Sequence, residues 1–507
     1  MDFEVLLKKV GDFGKYQKLL LYLFFLPTAT LAPLLCTTTL FMVSSPKYRC
    51  FHHSVNNQSE HRPNLFKDEQ DACLFKNSSY ETRASNNSNA TNNICEFWIY
   101  DTTNYEENAV TFFNLICDHD YYPSLILSSV SLGSIIGAPI FGYLSDKIGR
   151  KKTFFLAIAV ILLSTISPIL IKDLWAFIFF RFVNVIEVVA TERRTTITTL
   201  SSVCVAIGLS VLPLIVFLTK SWVKLNIVTA VTASILLLYW RFVPESPRWL
   251  VTKKRYQEAR TVLKYIAKVN KKDIPLNFMQ NVNNIETTEE QNVQRRIIEF
   301  VTNTKLRTVC FFITISCIAN EVAYTGLQLN IINFHGNEFV NFFLFSIVEI
   351  PSFVIGWFLM ESSLGRRWSA CICLFCSAVS LAVCASFPVD SDLATTTFAT
   401  IGKMFVTTSY MILSLQAAEL YPTDIRNQGL SISSTGVSVV TVFLPFLIYI
   451  GNQGKWIPLV IMSSFCIVAS VVSSFLPETR NEKLIENVDQ IKFYGKEREY
   501  WSLASAK

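Results

Sequence analysis

The sequence predicts an all-α polytopic membrane protein of twelve spans arranged as six plus six. Three observations carry that reading. Of its 507 residues, 51% are hydrophobic and only 17% are charged, whereas a soluble globular chain carries roughly a quarter as charges. Those charges cluster, leaving uncharged runs of about twenty residues, the length that crosses a hydrocarbon core. Basic residues also favour alternate connections, which fixes one orientation for the whole chain. The formal net charge of +6 thus reports which loops face the cytoplasm and gives no argument for a nucleic-acid partner.

The apolar runs fall at 19–43, 123–143, 153–171, 174–190, 197–218, 222–241, 309–333, 339–359, 369–388, 393–418, 430–450 and 455–476. They organise the chain as a cytoplasmic N-terminus (1–18), a first six-helix bundle (19–243), a cytoplasmic linker (244–306), a second six-helix bundle (307–476) and a cytoplasmic tail (477–507). Residues 1–17 are mixed and charged, and the first run ends without a small-residue cleavage pattern, so it reads as a true span. With the N-terminus inside, the inner connections hold Lys147, Arg150 to Lys152, Arg193, Arg194, the basic linker, Arg366, Arg367 and Arg426. The outer ones hold little: Lys172, Lys220, Glu338, Asp390, Asp392 and Lys455.

The first outside loop, 44–122, differs from the others. It contains Asn-X-Ser/Thr glycosylation acceptors at Asn57, Asn77, Asn86 and Asn89. It also holds Cys50, Cys73, Cys95 and Cys117, an even number in an oxidising compartment, which suggests two disulfides in any of three connectivities. The other nine cysteines lie in spans and read as small buried hydrophobes. No metal-ligand spacing and no cofactor motif stands out. In the linker, Tyr256, Ala259, Val262, Leu263 and Ile266 recur at helical spacing opposite a basic face. That predicts an amphipathic helix lying across the inner ends of the bundle or on lipid headgroups.

Spans two and three are joined by Gly142-Tyr-Leu-Ser-Asp146-Lys-Ile-Gly149-Arg150-Lys-Lys152, and Gly365-Arg366-Arg367-Trp368 stands at the equivalent place in the second half. Glycines permit a tight turn, and Asp146 with the basic residues can pair with or cap neighbouring helix ends as a cytoplasmic latch. Three further motifs follow spans six, ten and twelve: Pro244-Glu245-Ser-Pro-Arg248-Trp-Leu, Glu419-Leu-Tyr-Pro-Thr-Asp-Ile-Arg426-Asn-Gln-Gly429 and Pro477-Glu478-Thr-Arg480. Together these resemble the organic cation/anion/carnitine transporter family of the major facilitator superfamily, over nearly the whole chain. The resemblance implies a twelve-helix bundle, carriage of a small organic ion, no catalysis, and repeated halves that rock about a midplane site. It assigns the latch to Gly142, Asp146, Gly149, Arg150, Glu187, Glu245, Arg248, Arg366, Glu419 and Arg426. The expected partners are a small organic solute and the bilayer, with a coupling ion left open. Two alternatives are a transport-incompetent splice form and a receptor or assembly partner with the carrier fold. Sugar carriage is disfavoured, because the long first loop is not typical of that resemblance.

Departures from the family matter for substrate charge. Its cation members carry an acidic residue in span eleven, twelve positions after the Arg of Arg-Asn-X-X-Gly, and its anion and carnitine members often carry Arg there. Here the position is Ser438. The Lys that anion members place shortly after the Pro of span eight is also missing, since Pro351 is followed by Ser352 and Phe353. Intramembrane charges remain at Glu321, Glu349 and Lys403, and such residues usually face a cavity or a partner. Glu349 and Lys403 match family positions and read either as substrate contacts or as a structural pair. Glu321 reads as a cation or proton site, or as a residue near the membrane surface. Tyr324-Thr-Gly-Leu-Gln328-Leu-Asn330 resembles a family motif of span seven, with Gln328 and Asn330 able to hydrogen-bond a ligand. Tyr324, Tyr410 and Trp357 could hold an organic cation by cation–π attraction. The substrate candidates are therefore Tyr324, Gln328, Asn330, Glu349, Lys403, Tyr410 and Ser438.

The fourth span is short. Arg181-Phe182 matches the family's start of this span and Glu187-Val-Val its end, with roughly fourteen residues, about 21 Å of helix, missing between. The remaining run of 17 residues, Leu174 to Ala190, would reach only about 25 Å of a core about 30 Å thick. Arg181 then falls near mid-membrane, and Glu187, about 240° round the helix, is not placed to pair with it. Deletion and genuine divergence both remain open at this point.

Overall fold

The computed structural model describes residues 14–51, 97–184, 195–272, 302–334, 336–387, 392–422, 425–482 and 485. Among them, eleven helices are long and apolar enough to cross a membrane, and a further apolar helix, Leu174–Asn184, is shorter. In the first half, spans one, two and three are Lys15–Met42, Cys117–Ile148 and Arg150–Leu170. Leu174–Asn184 stands in fourth place, followed by Thr195–Thr219 as span five and Trp222–Arg241 as span six. The second half runs Thr304–Asn333, Glu338–Glu361, Gly365–Ser386, Asp392–Leu420, Arg426–Tyr449 and Trp456–Ser474 as spans seven to twelve.

Small residues set the closest helix approaches, as packing within a membrane favours. A Cβ on Gly133 of span two would lie 2.1 Å from the Phe182 carbonyl oxygen of the fourth segment, and one on Gly208 of span five 2.0 Å from that of Thr30 in span one. Neither position admits a larger side chain without moving a helix.

The bundle is α-helical as expected, and two details of its connections need correction. At the base of the first outside loop, β1 (Tyr48–Phe51) and β2 (Phe97–Tyr100) pair antiparallel, Tyr48 opposite Tyr100. Backbone groups leaving span one are satisfied there by a partner strand. The Gly142–Ile148 stretch is not a loop, since span two continues through it and the turn is made at Gly149. Similarly, Gly365 to Trp368 already belong to span nine.

The amphipathic stretch forms the helix Tyr256–Asn270, which buries Ala259, Leu263, Ile266 and Ala267 against Trp249, Leu250, Val251 and Tyr16. Tyr16 N–H donates to Asn270 Oδ1 at 2.9 Å and Asn270 Nδ2 donates to Gln17 Oε1 at 3.1 Å. Its apolar face is thus covered by protein, clasping the inner end of span one.

The halves meet at their outer ends. Phe41 of span one lies 4.8 Å from the ring of Phe342 and 6.1 Å from that of Phe339 in span eight, and Tyr105 and Phe217 also pack on Phe339. Ser44 Oγ donates to Glu338 Oε2 at 2.7 Å, and Tyr449 OH to Asp120 Oδ1 at 2.7 Å. Burial, reinforced by the Glu338 carboxylate, pushes the Tyr105 phenol above its ordinary range. At the inner end, Tyr143 is exposed and Gly142 has no neighbour beyond its own helix. Span eleven exposes Ser431, Ser434 and Thr435 there, together with Ile432. Aromatic packing and the Ser44 and Tyr449 hydrogen bonds thus join the two halves at the outer end.

Candidate functional site

At mid-membrane in the second half, three helices bring the expected charges together. Lys403 Nζ of span ten lies 3.2 Å from Glu349 Oε1 of span eight, with both side chains almost wholly buried. Tyr324 OH of span seven donates to the same carboxylate oxygen at 2.7 Å. Lys403 also donates to the Tyr324 carbonyl oxygen at 3.3 Å, and its ammonium sits 3.2 Å from the Tyr324 ring centroid. Each charge is thereby paired and hydrogen-bonded, the condition under which buried ions persist. Tyr410, half exposed, stacks on Tyr324 with ring centroids 5.9 Å apart.

Beside this cluster lies a cavity of about 270 Å³ between the halves. Span one contributes Thr37 and Thr39, span two Ser131, and span seven Tyr324, Thr325 and Gln328. It sits directly beneath the aromatic seal. Both amide atoms of Gln328 are buried without a hydrogen-bond partner, although a buried polar group is normally satisfied. Thr325 and Gln328 share a face with Glu321, four and seven residues along the helix, and Thr325 Oγ1 donates to Glu321 Oε1.

Other candidates lie elsewhere. Asn330 accepts from Asn333 Nδ2 at 2.8 Å, Ser438 Oγ donates to the Ser434 carbonyl at 2.9 Å, and neither lines the cavity. Trp357 is exposed beside Phe358. Glu321 falls within span seven, away from either end. Cys117 is disulfide-bonded. Asn57, Asn77, Asn86, Asn89, Cys73, Cys95 and Glu187 lie outside the described residues, as does the Cys50 side chain.

The latch is a repeated device. In the first half, Glu245 Oε1 accepts the Lys151 N–H at 3.1 Å and that of Ser246 at 3.0 Å. In the second, Glu478 accepts the N–H groups of Arg366 at 2.9 Å and Arg367 at 3.0 Å. Each carboxylate follows the last span of its half and caps the first turn of the third helix, where unpaired N–H groups and the helix dipole favour an anion. Each capped helix begins at a glycine of positive φ, +109° at Gly149 and +70° at Gly365. Trp249 Nε1 donates to the Asp146 carbonyl at 2.9 Å, Arg366 pairs with Glu419 at 3.0 Å, and Arg426 Nε reaches the Tyr421 carbonyl at 3.4 Å. Gly142 and Arg248 are exposed, and Arg150 opens span three. Sequence reasoning quoted Glu478 in a motif without giving it a role, and missed Thr325, Glu338 and the aromatic seal. The Pro-Glu-Ser/Thr echo after spans six and twelve was the available signal for Glu478.

Two six-helix halves around a central cavity define a membrane carrier of the major facilitator type, not an enzyme. The chain belongs to the family described as "Sugar (and other) transporter", whose model matches residues 73–490. Relatives bear out the resemblance read from the motifs. The human organic cation/carnitine transporter 2 is 27% identical, covering 97% of this chain and 94% of the relative. A Drosophila melanogaster organic cation transporter protein is 28% identical (98% and 95%), and a carcinine transporter of that organism 27% (98% and 80%). The human alignment spans 527 residues, more than the 507 of this chain, so that relative holds residues this chain lacks. Among solved structures, the proton:xylose symporter XylE shares the fold with a TM-score of 0.52 at 15% identity, covering 72% of this chain and 88% of XylE. XylE of E. coli in its inward open conformation gives 0.54 at 14%, with the same coverage. The protein is a multi-pass membrane transporter of small organic solutes.

Proposed function

We propose that the protein carries a small organic ion across the plasma membrane by alternating access, with the solute held in the central cavity against Gln328, Tyr324 and Thr325. The observation that carries this reading is that Gln328 lines that cavity and holds a buried amide with no hydrogen-bond partner. The aromatic seal forms one gate and the exposed inner faces of spans two and eleven the opposite mouth. Solute binding would favour rocking of the halves, with the glutamate caps holding each half rigid. A coupling ion is compatible with the buried carboxylates. The relatives' printed substrates, organic cations, carnitine and carcinine, fit a cavity of this size and polarity.

A second reading, a carrier fold without transport, is favoured by one observation, the short fourth apolar run of the sequence, 174–190, with its buried Arg181. Labelled carnitine, tetraethylammonium and succinate offered to expressing cells separate the two. Saturable uptake of at least one is expected. Absence of uptake of all three at full surface expression contradicts the carrier reading.

A further inference from the structure

We infer that Glu321 is the residue by which this carrier selects positively charged solutes, standing in span seven for the carboxylate that Ser438 replaces in span eleven. The charges at the site do not cancel. Lys403 is spent on Glu349, which also receives the Tyr324 hydroxyl. Among the described residues Glu321 has no salt bridge: Lys403 acts on it only through longer-range attraction, and its one hydrogen bond comes from the Thr325 hydroxyl. By formal charge the three ionisable groups therefore carry one more negative than positive charge within a low-dielectric region, where an uncompensated charge is costly.

Position makes that excess useful. Span seven runs from its inner end at Thr304 to its outer end near Leu329, so Glu321 stands one turn inward of the cavity-lining Thr325. It is half-buried, and Tyr410 lies within its electrostatic reach. The stacked Tyr324 and Tyr410 rings offer π faces to a cation there. A quaternary or protonated amine would supply a positive charge there, whereas an anion would meet a carboxylate and find the Lys403 ammonium already engaged by Glu349. Ser438, bonded back to its own helix, offers no charge.

The inference deepens the carrier reading, and only its uptake arm depends on that reading. The purified full-length protein is heated with tetraethylammonium or succinate, and uptake of both is measured in cells at matched surface expression. Tetraethylammonium should stabilise the protein and succinate should not. E321Q should weaken tetraethylammonium binding about tenfold or more, the usual scale for removing one charge partner from a buried site. E321D should retain most of it, and E321Q with S438D should recover part. Charge-selective, Glu321-dependent binding without uptake would defeat the carrier reading and leave this one standing. Uptake that E321Q leaves unchanged, or cation uptake that loses only its pH dependence, would overturn the selection role and leave the carrier intact. Where E321Q does not fold, the unsubstituted protein decides: equal stabilisation by succinate and tetraethylammonium overturns the inference.

Discussion

The fourth and tenth segments occupy equivalent places in the two halves, and each buries a cation. Lys403 in the 29-residue tenth helix has a carboxylate partner and a carbonyl acceptor. Arg181, in a helix described for 11 residues, is 1% exposed. Its Nη2 donates to Asn226 Oδ1 at 2.7 Å, its guanidinium lies 4.9 Å from the Phe177 ring, and its Nε has no partner. Among the described residues no carboxylate pairs with it. One half thus neutralises its buried charge, and the other tolerates it on an amide and an aromatic face. The difference locates the weak point of the molecule in the first half, whose fourth apolar run in the sequence, 174–190, is also short.

Breaking that comparison at its largest expected effect means restoring the helix. Inserting roughly fourteen apolar residues between Val185 and Ile186 gives a fourth span of ordinary length. Filling the space left by a missing span segment is worth several kcal/mol, comparable with total stability. Surface expression, read by glycan maturation on the 44–122 loop, should rise severalfold. If the unaltered chain already matures and transports as well, the short segment is a working part.

The buried charges sharpen the comparison at a smaller scale. Lys403→Met strands Glu349 and should cost about 3–5 kcal/mol, while Arg181→Met leaves only the Asn226 amide unsatisfied and should cost about 1–3 kcal/mol. Thermal unfolding of the purified variants gives the order. Lys403→Met combined with Glu349→Gln should recover much of the first loss. An Arg181 variant weaker than the Lys403 variant would reverse the account of which half carries the stable charge.

Much of this was legible in the sequence, for identifiable reasons. Apolar run length and loop charge located the spans, because each is a local property that the bilayer imposes residue by residue. Glu349 and Lys403 stood out singly as charges in spans. Their pairing was legible only as one of two readings, because they are 54 positions apart on different helices and only packing decides whether they meet. Gln328 was marked by its motif, and its unpaired amide required the cavity. The aromatic seal was hidden by composition: with 40 Phe in the chain, no single one signals a gate. Gly142 misled because glycine permits a turn without requiring one, whereas Gly149 carries the positive φ.

The central claim is that the two halves alternate about the cavity, which requires the outer seal to open in each cycle. Phe41→Cys with Phe342→Cys places a thiol on each half at the seal, where the two rings now lie 4.8 Å apart. Uptake of the best panel solute is measured before oxidation, after oxidation and after reduction, with the unsubstituted chain given the same treatment. The account predicts that oxidation abolishes uptake in the double variant alone and that reduction restores it. Undiminished uptake through a fully cross-linked seal would contradict it.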